Sequence, residues 1–185
     1  MLDLSQINIS WALFLDRDGV INHEKEMDYV YNYDEFIFYD RVHEAMNIFN
    51  AVFGRIIVVT NQRGVGKGLM TEETLSEIHE EMTNDITSSG GRIDGIYYST
   101  ALDNIHPDRK PNHGMALKAM EDFPEIKMAR SIMIGNNLSD MEFGRNAGMF
   151  TILLKTTISV PQLPDPLIDL AFEDLYEFAI NLKPQ

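Results

Sequence analysis

Two aspartates one residue apart, Asp16 and Asp18, stand directly after the apolar start of ALFLDRDGVIN, residues 12 to 22. A strand ending at Leu15 carries both carboxylates into the crevice beyond the carboxyl edge of a parallel sheet, where open α/β folds place ligands. Such an arrangement can make the nucleophile of a phosphatase, with the second aspartate in reach of the same substrate. Gly19 lets the chain turn sharply after the pair. A D-x-D-G tetrapeptide also suits an ordinary solvated turn, so the weight falls on three further clusters, each following a strand-like run.

In VVTNQRGVGKG, residues 58 to 68, a strand delivers Thr60, Asn61 and Gln62 and then a glycine-rich turn. Hydroxyl, amides and freed backbone N–H groups suit phosphate oxygens. A P-loop is excluded because its first glycine would fall on Asn61, and G-x-G-x-x-G fails as well. Arg63 and Lys67 either meet a second anionic group or face water. The third cluster, PDRKPNHGM, sets Arg109 and Lys110 between two prolines that stiffen the loop and limit where the cations point. Anion recognition is one reading, and two solvated surface cations the other. In the fourth, SIMIGNNLSDMEFGRNAGM, Gly135 precedes Asn136, Asn137 and Asp140, whose oxygens suit magnesium. Helix capping by Asn136 or Asn137 is the alternative.

The elements that position these residues alternate. Strand-like WALFLD, RIIVVT, GIYYST, SIMIG and FTILL are separated by helical patterns over Arg41 to Phe53, Thr71 to Ser88, Gly114 to Phe123 and Leu138 to Ala147. That order predicts a parallel sheet covered by helices. Leu75, Ile78, Met82 and Ile86 give the second helix one apolar face, and its His79 reads as a surface or satisfied histidine with no role. Residues 23 to 39 form either a loop or small flap beside the site or a surface hairpin packing its aromatics. VPQLPDPL, Val160 to Leu167, connects to a final helix over Glu173 to Leu182.

A single domain over residues 1–185 is expected from length. With 29 acidic against 15 basic side chains, the net charge of −14 disfavours a nucleic acid partner, while a few cations still suffice for a small phosphorylated metabolite. No apolar run approaches the roughly 18 residues of a membrane span. MLDLSQINIS lacks a basic and then apolar leader, so a cytoplasmic location is expected, and the absence of cysteine agrees. Oligomeric state is left open.

The order D-x-D, Thr, Lys and then G-x-x-x-x-D resembles the haloacid dehalogenase (HAD) superfamily of aspartyl-phosphate phosphatases. More narrowly, LFLDRDGVIN, DYV, VVTNQRGVGKG, IDGIYYST, DRKPNHGM and IGNNLSDM, from residue 13 to about 154, resemble its branch of heptose 1,7-bisphosphate and histidinol-phosphate phosphatases. The resemblance implies an α/β fold with a Rossmann-like core, a parallel sheet with helices on both faces and little or no cap. It implies magnesium-dependent hydrolysis of a small phosphorylated metabolite, most like D-glycero-D-manno-heptose 1,7-bisphosphate. Histidinol phosphate as substrate, a catalytically weak phosphosugar-binding protein and a polynucleotide phosphatase are the alternatives.

By the same resemblance Asp16 is the nucleophile and Asp18 the general acid and base, with Thr60 and Lys110 on the phosphoryl oxygens. Magnesium falls to Asp16, Asp18, Asn136 and Asp140. Substrate contacts fall to Met27, Asp28, Tyr29, Asn61, Gln62, Arg63, Gly64, Arg109 and Asn137. Two departures stand out. The Cys and His zinc loop common in this branch is lacking, since only ALDNIHPD separates Thr100 from Arg109, so no structural zinc is expected. The fourth motif opens Gly-Asn rather than Gly-Asp, and the lost anion is expected to weaken magnesium binding.

Overall fold

Short runs of β-branched and aromatic residues without polar alternation are strands that must be covered on both faces. The structure, a computed structural model, describes residues 2–157, 161 and 163–182. Among the described residues six strands, β1 (Ala12–Leu15), β2 (Arg55–Asn61), β3 (Gly95–Ser99), β4 (Ser131–Gly135), β5 (Phe150–Leu154) and β6 (Leu170–Phe172), form one sheet ordered β3-β2-β1-β4-β5-β6. All neighbours are parallel. The helices are α1 (Val42–Val52), α2 (Arg63–Gly66), α3 (Glu72–Ser88), α4 (Gly114–Asp122), α5 (Leu138–Ala147) and α6 (Leu175–Asn181).

Because successive strand residues point to opposite faces, the sheet divides its apolar side chains between two cores. Leu13, Leu15, Val58 and Ile134 pack with Met46 and Phe49 of α1, Ile78 and Met82 of α3, and Phe178 of α6. Phe14, Ile57, Val59 and Met133 pack with Met115 and Ala119 of α4 and Phe143 of α5. Helices therefore cover both faces, as an α/β fold with a HAD-type core requires.

Leu15 is level with Val58 on one side and Ile134 on the other. The chain thus leaves β1 for β2 and later returns to β1's other flank with β4, which makes the carboxyl end of β1 the topological switch point. Asp16, Thr60 and Asn136 follow from that alignment.

SIMIG, FTILL and Leu138–Ala147 match their expected bounds, and WALFLD narrows to β1. The expected final helix loses its first two residues because Asp174 caps it, accepting from the Glu177 N–H at 2.7 Å. α2 and β6 were not anticipated: one is a single turn, the other a three-residue, half-buried edge strand. Of the expected connector, Val160 and Gln162 lie outside the described residues.

Residues 23 to 39 contain one turn of 3-10 helix, Tyr33–Glu35, and a single bridge from Asn22 to Phe38 rather than a paired hairpin. Their aromatics do pack together, Tyr33 on Phe36 at 5.5 Å and Phe36 on Phe38 at 5.0 Å between ring centres. Among the described residues no helix is long and apolar enough to cross a membrane.

Candidate active site

Beyond the carboxyl ends of β1, β2 and β4 lies a cavity of about 250 Å³ on which Asp16, Asp18, Glu24, Thr60, Arg109 and Asn136 open. A larger cavity of about 590 Å³, beside Trp11, Arg55 and Lys127, sits at the amino ends of β1 and β2 and shares none of these residues.

Lys110 organises the site. Its Nζ lies 2.8 Å from Asp16 Oδ1 and 2.7 Å from Asp140 Oδ1, with the ammonium almost wholly buried. Burial pushes the lysine pKa down, but the two carboxylates outweigh it and the net direction is up, so Lys110 is a permanent cation. Burial is also the main reason Asp16 is raised to about 7, with Asp140 and Asp18 adding to it and Lys110 opposing. Asn61 fixes the lysine's backbone from both sides: its Nδ2 donates to the Lys110 carbonyl at 3.2 Å and its Oδ1 accepts from the Lys110 N–H at 3.1 Å.

Asp18 is held differently. Arg17, only 1% exposed, donates to its two oxygens from Nη2 at 2.9 Å each, while Asn22 Nδ2 and Gln62 Nε2 donate at 2.9 Å. Burial would raise the Asp18 pKa, but the Arg17 charge and these hydrogen bonds reverse it and hold the carboxyl below its ordinary range. Gln62 also donates to Thr60 Oγ1 at 2.9 Å. That leaves the Thr60 O–H to point elsewhere.

His79, assigned no role from sequence, completes this network. Its Nε2 lies 3.2 Å from Arg17 Nη1, and since a guanidinium only donates, Nε2 accepts and the ring proton sits on Nδ1. Burial, with Arg17 second, lowers the His79 pKa to about 3, against a small opposing pull from Asp18. The unfolded chain therefore takes up a proton below about pH 6.5 that the folded chain refuses, so His79's stabilising share is present above that pH and lost as pH falls. The slope is about 1.4 kcal/mol per pH unit. Urea denaturation between pH 7 and 5 is expected to show a steeper loss for wild type than for His79→Gln, which keeps an acceptor for Arg17.

Asp140, expected at a metal, has both oxygens engaged: Oδ1 by Lys110, and Oδ2 by the Asn137 N–H at 3.1 Å. Asn137 caps α5, its Oδ1 accepting from the Ser139 N–H at 3.4 Å, as the capping alternative had it. Asn136 is 2% exposed. Its Nδ2 donates to Glu24 Oε2 at 3.0 Å and Thr157 Oγ1 at 2.7 Å. Its Oδ1 is buried with no hydrogen-bond partner among the described residues.

Of the expected substrate contacts, Arg109 lines the cavity and is anchored by Asn104 Oδ1 at 3.0 Å and the Ala101 carbonyl at 3.2 Å. Burial, then the neighbouring Arg63 charge, lowers its pKa. Arg63 Nε is buried without a partner among the described residues. Tyr29 lies against Gly64, where a Cβ would come within 3.1 Å of its ring. Met27 is 99% exposed and Asp28 accepts from the Tyr31 hydroxyl at 2.6 Å; like Tyr29, Gln62, Arg63 and Gly64, neither lines the cavity itself. Glu24, Arg17 and Asn22 escaped the sequence reading, while His79 is the satisfied histidine that reading allowed; Arg17 and Asn22 lie inside the first motif, but nothing in a sequence tells which way their side chains turn.

A buried carboxylate against a buried ammonium, with an unpartnered amide oxygen beside them at the switch point of an all-parallel sheet, is an arrangement suited to phosphoryl-transfer hydrolases. The HAD-hydrolase-like family model matches residues 108–177. A D-glycero-alpha-D-manno-heptose-1,7-bisphosphate 7-phosphatase of Campylobacter jejuni is 40% identical over 77% of this chain and 81% of its own. Its counterpart in Mycobacterium bovis is 33% identical over 92% and 90%. Among solved structures, D,D-heptose 1,7-bisphosphate phosphatase from B. bronchiseptica, complexed with magnesium and phosphate, superposes with a TM-score of 0.80 at 27% identity, covering 93% of this chain and 97% of that one. The chain belongs to the HAD-like hydrolases, in their phosphatase branch.

Proposed function

We propose that this chain hydrolyses a phosphate monoester of D-glycero-D-manno-heptose 1,7-bisphosphate with magnesium, through an aspartyl-phosphate on Asp16. The observation that carries it is the trio of Asp16, Lys110 Nζ at 2.8 Å and the orphaned Asn136 Oδ1 around one cavity.

Magnesium fits these residues. Among the described residues no three or more His, Cys, Asp or Glu side chains converge as a metal cage, so the ligands would be mixed oxygens: the Asp16 carboxylate, the Asp18 backbone carbonyl and Asn136 Oδ1. A hard cation accepts such a set. The bound cation would supply positive charge where an anionic nucleophile meets an anionic phosphate. We assign Asp140 to holding Lys110 rather than to the metal, because both of its oxygens are engaged.

Asp16 attacks phosphorus in line, while Lys110 and the free O–H of Thr60 bind the equatorial oxygens. Asp18 gives its proton to the leaving alkoxide and then takes one from the water that attacks the intermediate. Its lowered pKa suits the second step. For the first, the negative charge of a seated phosphate raises its proton affinity.

Arg63 and Arg109 favour a substrate with a second anion. Two neighbouring guanidiniums, one with a buried unpartnered Nε, suit a second phosphate and repel the cationic amine of histidinol phosphate. Phosphate release from the two compounds is therefore expected to favour the bisphosphate, with Arg63→Ala raising its KM about tenfold and altering kcat less. A higher kcat/KM for histidinol phosphate would overturn this choice.

Magnesium must also displace the proton that Asp16 holds near neutrality. Since burial raises that carboxyl to about 7, magnesium affinity is expected to rise with pH below about 7 and level off above it. Calorimetric titration across pH 6 to 8 reads this directly. Saturation is expected well above micromolar magnesium, given the missing charge at Asn136.

A further inference from the structure

We infer that Glu24 supplies, through the amide of Asn136, the negative charge that Asn136 does not bring to the cation site; the inference rests on the proposed magnesium reading. Asn136 can place either amide end toward Glu24, but only one choice is satisfied. With Nδ2 toward Glu24 it donates to the carboxylate at 3.0 Å and to Thr157 Oγ1 at 2.7 Å. The opposite choice sets acceptor against carboxylate. Gly19, at φ +83°, leaves the room this amide fills, since a Cβ there would fall 1.9 Å from Nδ2. Both Nδ2 protons are thereby committed, and the buried, unpartnered Oδ1 is left for a cation.

An amide between a carboxylate and a cation is polarised from both ends. The Glu24 carboxylate draws on the N–H, which shifts electron density onto Oδ1, and its own charge stands one amide away from the metal. The logic is that of a carboxylate behind a metal-bound histidine, where removing the outer partner costs about 10- to 100-fold in metal affinity. Glu24 is solvent-exposed and lines the same cavity as Asp16 and Asp18, so screening puts the expected effect at the low end, about tenfold.

The test is calorimetric titration of magnesium chloride into the full chain as wild type, Glu24→Gln, Asn136→Asp and the double variant, with metal-free melting curves for each. Glutamine keeps an acceptor for Asn136 Nδ2 and removes only the charge. Glu24→Gln is expected to weaken magnesium about tenfold without moving the metal-free melting temperature. Asn136→Asp is expected to strengthen binding more in the Glu24→Gln background than in wild type, where the new carboxylate faces Glu24. Equal affinities for wild type and Glu24→Gln would overturn the inference and leave the magnesium reading standing. So would a loss that follows a lowered metal-free melting temperature and is not restored by Asn136→Asp. No magnesium binding by the wild type at millimolar concentration would overturn both.

Discussion

Asp16→Asn is expected to lower phosphate release by about four orders of magnitude or more, equivalent to over about 5 kcal/mol of barrier at 1.36 kcal/mol per decade. An amide in that place neither attacks phosphorus nor offers a charged oxygen to a cation. The same change is expected to leave the metal-free protein at least as stable near neutrality. Burial raises the Asp16 carboxyl from 3.8 to about 7, so between those values the folded chain holds a proton the unfolded chain has released. Stability contributed by the protonated form therefore declines as pH rises through that window, and asparagine escapes the decline. Loss of turnover with an unchanged or higher melting temperature would be the signature of a nucleophile. Loss of both would point to a structural residue.

Lys110→Met is expected to cost both activity and stability. Lys110 is 3% exposed, and its ammonium sits between Asp16 and Asp140 at 2.8 and 2.7 Å. Methionine fills similar space but leaves two carboxylates facing each other without a counter-charge, a loss of about 3–5 kcal/mol for a broken buried pair. Turnover is expected to fall about 10²- to 10³-fold with the loss of one preorganised charge at the transferring phosphoryl group. Adding Asp140→Asn to Lys110→Met is expected to restore part of the stability, because it removes one of the stranded charges, and none of the turnover. Urea denaturation of the three variants at pH 7.5 separates these effects; a single variant as stable as wild type would contradict the central place given to Lys110.

The residues at the strand ends were legible in the sequence because each polar cluster follows an apolar run, and a parallel sheet brings such ends together whatever the loops do. Asp16, Thr60 and Asn136 were placed this way; the prolines around Arg109 and Lys110 left a solvated surface pair open, and the place of Lys110 came from the family resemblance. What sequence left open was the direction of each hydrogen bond. Asn61 and Gln62 have the groups to hold a phosphate, but their amides go to the Lys110 backbone and to Asp18 and Thr60. Asn137 offered an oxygen to a ligand or to a helix end, and it caps α5. Glu24 stood in an acidic stretch with no pattern to set it apart, and only the fold of residues 23 to 39 brings it to Asn136. β6 escaped because three residues after a proline-rich turn carry too little periodicity to signal a strand.

Phosphate release from heptose 1,7-bisphosphate, followed with millimolar magnesium and again with excess chelator, tests the central claim most directly. Turnover that requires magnesium and stops at one phosphate per molecule is the expected result. Equal turnover in chelator, or none with magnesium while the protein remains folded, would contradict it.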